Sequence, residues 1–463
     1  MYSDESILGK VSCQNEDYTH NGGIKELVKL VIPLLMISFS NLLFLLVEKI
    51  FLARLSVDAM NAAMASVYVC QVLQIPCVAI ALMTQVYLGR LLGANQKGGV
   101  GPVVWQMIWF SALSMIVTVP AGLAYGSYYF HGSDFEGIIW PYFCLNLAIN
   151  FMFPLSTTLS CFYIATRKIY FLFLVTVLSQ VLKIVCGYLF IFGWGDWIPS
   201  LGLLGGAISL LLAMTVLCSL LFFRFLAGEN AKVYKSHAFQ FKWKLFWEGL
   251  HPGILRAFNR ILSVTSWVAI TRLMIVRGGD YSVVLSVGGA LFLFLPFLSE
   301  GLLQAQITAI SGIIGSRKLE LISKSIRSGT FIACVAIVII GIPLLVFPRA
   351  SIYYLFPTIP FGDFTIYKLM CGVWLCFGLY TLGVLPLSVV LAFKDTKFSL
   401  FMGGVSWING YLLMYTAIEV MNIAPEQFWF VLGLMHGSTL IMYYLRMKWL
   451  EAKAKRQPTL LSI

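Results

Sequence analysis

Residues Ile24–Gly99, IKELVKLVIPLLMISFSNLLFLLVEKIFLARLSVDAMNAAMASVYVCQVLQIPCVAIALMTQVYLGRLLGANQKGG, hold the plan on which the whole chain is built. Two long apolar runs follow one another, with Pro33 near the head of the first and Pro76 inside the second. A carboxylate, Glu48, lies deep in the first run, and a glycine-rich basic turn, GANQKGG, closes the second. The plan returns from Leu250. Pro252 and Pro296 stand almost as far apart as Pro33 and Pro76, and the second pair of runs ends in GIIGSRK. Later, Pro154-Leu155-Ser156 recurs as Pro386-Leu387-Ser388, each followed by a short basic turn, Thr166-Arg167-Lys168 and then Asp395-Thr396-Lys397. The chain therefore reads as an N-terminal tail (1–30), a first lobe (31–228), a linker (229–246), a second lobe (247–448) and a C-terminal tail (449–463).

Composition sets the solvent. The chain is 59% hydrophobic and only 11% charged, with a mean hydropathy of +0.87, whereas soluble domains carry about 25% charged residues. A spanning helix needs roughly 20 apolar residues, and twelve such runs are spread over nearly the whole length. Their length, with no period-two alternation, excludes an outer-membrane barrel built from strands of about 10 residues. The expected fold is an all-α integral membrane protein with twelve transmembrane helices in two pseudo-symmetric six-helix lobes. With both termini in the cytoplasm, lysines and arginines on that side outnumber those on the other more than fourfold, as the positive-inside rule requires. The net charge of +12 thus expresses topology and implies no nucleic-acid partner.

The N-terminal tail has no apolar stretch of the kind a cleaved signal needs, so the first helix is expected to target the chain. Every cysteine but Cys13 lies in or at the end of an apolar run, without metal-ligand spacing. Neither a metal site nor a disulfide framework is expected. Short loops suggest a bacterial cytoplasmic membrane, and a chain with both lobes can work as a monomer.

Ionisable groups inside spanning helices cost about 2.5–3.5 kcal/mol on insertion scales and are functional candidates for that reason. Glu48 lies 15 residues past Pro33, about 22 Å of helix at ~1.5 Å per residue; it either serves function or snorkels with Lys49. Asn41 shares its helix. Lys183, preceded by Gln180, is too deep for easy snorkelling, so it must pair, lose its proton or face water. An ion pair with Glu48 that merely ties helices together is the structural alternative. Gln71, Gln74, Gln85, Asn146 and Asn150 more simply bond across helices. Arg256, Asn259 and Arg260 share one helical face; Arg256 can reach back to the surface, while Arg260 is one turn deeper. Glu300, on a face with Gln304, is either their counter-ion or a ligand. His436, alone on an apolar helix, reads as packed and neutral. The stretch GLLGG at 202–206 fits a close helix interface, and the basic, aromatic linker fits a segment resting on headgroups.

The opening IKELVKLVIPLL, VEKIFLARL leading into DAMNAA, YLGRLLGANQ, YLFIFGWGDWIPSLGLLGGAISLLLA and the KDT turn together resemble the multidrug and toxic compound extrusion (MATE) family. No single piece is specific; the ordered set, spread over both halves, is. The resemblance implies two lobes about a pseudo-two-fold axis, a V-shaped cavity and rocking alternating access. It also implies export of small, mostly cationic organic solutes by proton- or sodium-coupled antiport. No cofactor is expected beyond that coupling ion; the partners are the bilayer and a small-molecule substrate.

Departures from the family pattern bear on the site. Glu48 falls where the family carries an aspartate. A cation-coordinating asparagine falls on Lys183 and a nearby aspartate on Gly187. A second-lobe glutamate falls on Arg260, and a further aspartate near Tyr380–Gly383, where no acid exists. A fixed ammonium at Lys183 could neutralise Glu48 without sodium, so the cavity is expected to favour an anionic or zwitterionic solute. Two other classes are a lipid-linked precursor flippase, whose pyrophosphate Arg256 and Arg260 would suit, and an acyl-transferring enzyme using His436. No acid, nucleophile or metal cluster accompanies that histidine, so no enzyme is expected.

Overall fold

The structure is a computed structural model that describes residues 22–132, 136–353 and 362–456. Positions 1–21 and 457–463 of the expected tails, Cys13 included, lie outside the described residues. Ten helices are long and apolar enough to cross a bilayer: α1 Ile24–Leu55, α2 Asp58–Gly93, α3 Lys97–Phe130, α4 Ile139–Ala165, α5 Ile169–Phe192, α6 Leu203–Leu226, α8 Gly279–Gly315, α9 Glu320–Val346, α10 Phe364–Ala392 and α12 Pro425–Arg456. Two more complete the twelve, α7 Trp243–Arg277 and α11 Thr396–Tyr415. Lys244, Glu248, Arg256, Arg260, Arg272 and Arg277 lower the apolarity of α7. Among the described residues the only β pairing is a bridge between Trp194 and Ile198 in the turn after α5. A chain in hydrocarbon must satisfy its backbone internally, and helices do so within one segment.

The internal repeat is written into the backbone. Asn95, Arg167, Arg317 and Lys394, in the four basic turns, all adopt left-handed φ of 58°–60°, a region few residues with a side chain enter. Each helix end closes identically. The left-handed residue donates to a carbonyl three residues back, as Asn95 to Leu92 and Arg317 to Ile314. Its successor donates five residues back, as Gln96 to Leu91 and Lys318 to Ile313; Arg167/Lys168 and Lys394/Asp395 repeat the pattern. This double bond is the Schellman cap, which normally recruits glycine. Four non-glycine caps at corresponding places mark the two halves as copies of one design.

The lobes share buried clusters at the end of the basic turns and along α2 and α7, where Ala79 and Ile80 join Phe246 and Ala257. A buried cluster at the end of the basic turns joins Leu30, Met83, Val86, Leu159 and Leu221 of the first lobe to Leu302, Ile307, Leu385 and Leu391 of the second. Toward the opposite end the clusters separate: one contains only first-lobe residues such as Leu52, Phe143 and Leu203, another only second-lobe residues such as Ile270, Met370 and Trp429. The described lobes therefore form a V closed at the basic end. Helix α9 gathers both ends of the described chain there, since Ser328 donates to the Gly22 carbonyl and Ile322 packs in one cluster with Ala454.

The point of the V is a crossing of α2 and α8. A Cβ on Gly93 would lie 2.1 Å from the Gly312 carbonyl oxygen, and one on Gly315 would lie 2.1 Å from the Arg90 oxygen. Because the two contacts are near mirror partners in the repeat, the backbones touch about the pseudo-two-fold axis. Small residues permit such approach where lipid supplies no hydrophobic drive between helices. Beside the crossing, Gln85 Nε2 donates to the Gln304 carbonyl at 2.7 Å and to Thr308 Oγ1 at 2.5 Å. Gly93→Ala should destabilise the folded protein by about 1–3 kcal/mol, as overpacking does, read as a lowered Tm by tryptophan fluorescence in detergent. An unchanged Tm would show that these backbones are not in contact.

Candidate functional site

Helices α1 and α5 run side by side and pair their polar groups in order along their length. Gln180 Nε2 donates to Asn41 Oδ1 at 2.7 Å. Further along, Lys183 Nζ lies 2.5 Å from Glu48 Oε2, with side chains only 15% and 18% exposed. Two opposite charges at this distance in a poorly hydrated place stabilise one another far more than an exposed pair does. Glu48 therefore does not simply snorkel, and Lys183 has a counter-ion.

The pair closes one side of a pocket lined by Phe44, Phe51, Ile184, Gly187, Ile191, Gly206 and Ser209, about 270 Å³ counted with its mouth. The enclosed space within it is only about 10 Å³, room for about one water and far below the ~300–1,000 Å³ of ordinary ligand pockets. Tyr142, fully buried, stands within the electrostatic reach of Glu48. Phe44, Phe51 and Tyr142 gave no signal in the sequence, being aromatic residues in apolar runs. Ser209 offered only its hydroxyl.

The second-lobe candidates form a looser group. Arg256 lies within charge reach of Glu300 and Arg260 and places Nη1 3.9 Å from Met83 Sδ of the first lobe; it is an interlobe residue. Arg260 is exposed, and Tyr380 senses both it and Glu300. Glu300 accepts a hydrogen bond from Gln304 Nε2 at 3.3 Å, and no ion pair joins it to either arginine among the described residues. Asn259 turns instead toward α11: its Oδ1 is buried without a partner, in the space a Cβ on Gly403 would take. His436 is buried between the rings of Phe292 and Tyr380, at centroid distances of 6.2 and 5.3 Å. No cluster of three metal-ligating side chains occurs among the described residues.

The geometry thus unites Glu48, Lys183 and, through Gln180, Asn41 on one wall, and gathers Arg256, Arg260, Glu300 and Tyr380 on the other. Of the charged candidates on both walls, one positive charge is left in excess.

No family profile matches the chain. In sequence it is similar to the probable multidrug resistance protein NorM of Thermotoga maritima, 22% identical over 334 residues, 71% of each chain. In structure it is similar to a MOP superfamily transporter from Pyrococcus furiosus Vc1 (DSM3638), for which reverse polarity of the binding pocket suggests a different function. The TM-score is 0.84 at 16% identity, over 96% of this chain and 99% of that one. An outward-facing multidrug resistance MATE family transporter of the MOP superfamily matches with TM-score 0.84 and 16% identity, over 96% and 100%. The chain therefore resembles the MATE transporters in sequence and has their fold, a multi-pass membrane architecture of twelve helices in two lobes.

Glu48 and Lys183 should be energetically coupled. In a double-mutant cycle of Glu48→Gln and Lys183→Met, followed by thermal unfolding, the single changes should fail to add, with an interaction term of about 1–3 kcal/mol. Additive losses would mean that the two side chains do not meet in the membrane-embedded protein.

Proposed function

We propose that this chain is a secondary transporter of a small organic solute that carries a negative charge, alone or within a zwitterion, and that Glu48 is its proton-coupling group. The single observation behind this reading is the 2.5 Å Lys183–Glu48 contact. A sodium ion gains little from a carboxylate that an ammonium already neutralises. A proton fares differently, because protonating Glu48 breaks the pair and leaves Lys183 without a counter-ion. A buried ammonium without a partner is strongly disfavoured, so it draws in an anion. Arg256 and Arg260 on the facing wall extend that preference.

The same contact gives the coupling a sign. An anion that takes Lys183 from Glu48 raises the proton affinity of Glu48, and a proton on Glu48 raises the anion affinity of Lys183, by the same factor. Proton and anion therefore bind together and move together. A cationic solute would compete with the proton for Glu48 and give the antiport that the family resemblance implies. The reversed pocket polarity described for the Pyrococcus furiosus relative supports the anionic reading. We place the protein in a bacterial cytoplasmic membrane, basic turns inward, working as a monomer. A lipid-linked pyrophosphate is the alternative cargo that Arg256 and Arg260 would suit.

Proteoliposomes with an internal pH indicator test the sign. An inward gradient of one member of a panel of amino acids, dicarboxylates or sugar phosphates should carry protons inward, and Glu48→Gln should abolish this proton movement. A permeant cationic dye that drives protons the opposite way through the wild-type protein would overturn the proposal in favour of cation antiport. Scrambling of a lipid-linked pyrophosphate without any response to the panel would move the cargo to the flippase class.

A further inference from the structure

The closed end of the V is held by three side chains that cross between the lobes around the turn after α10. Arg90 of α2 donates through Nε and Nη2 to the Ala392 carbonyl at 3.1 and 2.8 Å. Tyr87, one turn earlier, donates its hydroxyl to the Glu248 carbonyl of α7 at 2.5 Å. Over the face of the same tyrosine ring sits Lys394, its Nζ 3.8 Å from the centroid. First-lobe and second-lobe groups alternate through this cluster, so the lobes cannot part at this end without exposing it.

Lys394 occupies the left-handed position of its Schellman cap, φ 60°, with its ammonium over the Tyr87 ring of the other lobe. The charged and titratable groups around it are Arg90 and Tyr87 from α2 and Glu248 from α7. Asp395, next in the chain, is held by Arg446 of α12 at 2.8 Å and does not serve as its counter-ion. Lys394, half-buried, therefore lies beside a second, buried cation, Arg90, and no ion pair to a carboxylate is found for it among the described residues.

We propose that Lys394 is a proton-binding site built into the seal between the lobes, uncharged while the seal is closed and charged when the lobes part at the basic end. Burial and the neighbouring Arg90 guanidinium push its ammonium down to about 7 in the closed form, against the pull of the Glu248 carboxylate. The π face of Tyr87 also favours the ammonium, an attraction smaller than the burial that dominates. Once the lobes separate, Lys394 reaches water and recovers the ordinary lysine value near 10.4. Between about 7 and about 10, opening thus takes up one proton, and the closed form gains on the open form by up to tenfold per pH unit as pH rises. As pH falls toward about 7 the advantage of the closed form is lost, and below that both forms are charged and the dependence ends. Cytoplasmic acidification would favour opening on that side.

This inference is independent of the charge of the solute and of Glu48. Its test uses the full chain in lipid nanodiscs, with amide exchange of residues 83–93 measured by mass spectrometry from pH 6.5 to 9.5 and corrected for the intrinsic rate. A distance measurement between spin labels at Gln96 and Lys318, both exposed, is the second readout. In wild-type protein the open fraction should fall by up to tenfold per unit above pH 7. Lys394→Met should remain closed and lose the pH dependence, and Lys394→Arg should stay open across the range. A wild-type profile that is flat, or a dependence that survives in Lys394→Met, would overturn the proposal. Lys394→Gln serves as the neutral variant if the methionine form does not fold.

Discussion

The structure depends on one backbone contact, the crossing of α2 and α8 where Gly93 meets Gly312 and Gly315 meets Arg90. In a bilayer two apolar helices gain little from touching unless their surfaces let the main chains approach, and glycine at both sides allows this. Everything at the closed end gathers around that contact: the shared core, the Gln85 hydrogen bonds and the Arg90–Ala392 link. At the opposite end nothing similar is found among the described residues, and the two lobes keep separate cores. A joint at one end and none at the other is the mechanical requirement for two bodies that rock.

The second constraint is that charge inside a low-dielectric region must be answered. Each wall answers differently. On α1 and α5 the answer is a contact pair, Glu48 with Lys183, which leaves no net charge until something protonates or displaces a member. On α7 and α8 the answer is incomplete, since Arg256 and Arg260 face Glu300 without pairing with it.

Glu48 and Lys394 both sit on elements that reach the joint between the lobes. Glu48 lies on α1, whose lower turns pack in the shared core through Leu30 and Val31. Lys394 lies in a cap whose geometry is repeated three more times in the molecule, but only there does the left-handed residue stand over a tyrosine of the other lobe among the described residues. A duplicated scaffold thus acquired a feature in one copy that its counterpart, Arg167, uses within its own lobe, against Glu26.

Much was legible from sequence alone because the bilayer makes sequence and structure nearly the same statement. Twenty apolar residues in a row have one solution, a spanning helix, so the number of helices, the duplication and the gathering of the basic turns at one end follow from hydropathy, proline spacing and lysine placement. The individual charges were equally visible, because Glu48, Lys183, Arg256 and Arg260 stand out against their surroundings. What the sequence could not contain is which of them meet. A helix presents its side chains all round, and rotation about its axis is decided by packing against neighbours that are distant in the chain. Only the tertiary structure therefore selected the Lys183–Glu48 pair from the alternatives the sequence left open, and turned Asn259 away toward Gly403 and Lys394 onto Tyr87. Aromatic and hydroxyl residues of the pocket stayed hidden for the same reason: in an apolar run their composition says only that they are buried, and the company they keep is a property of the fold.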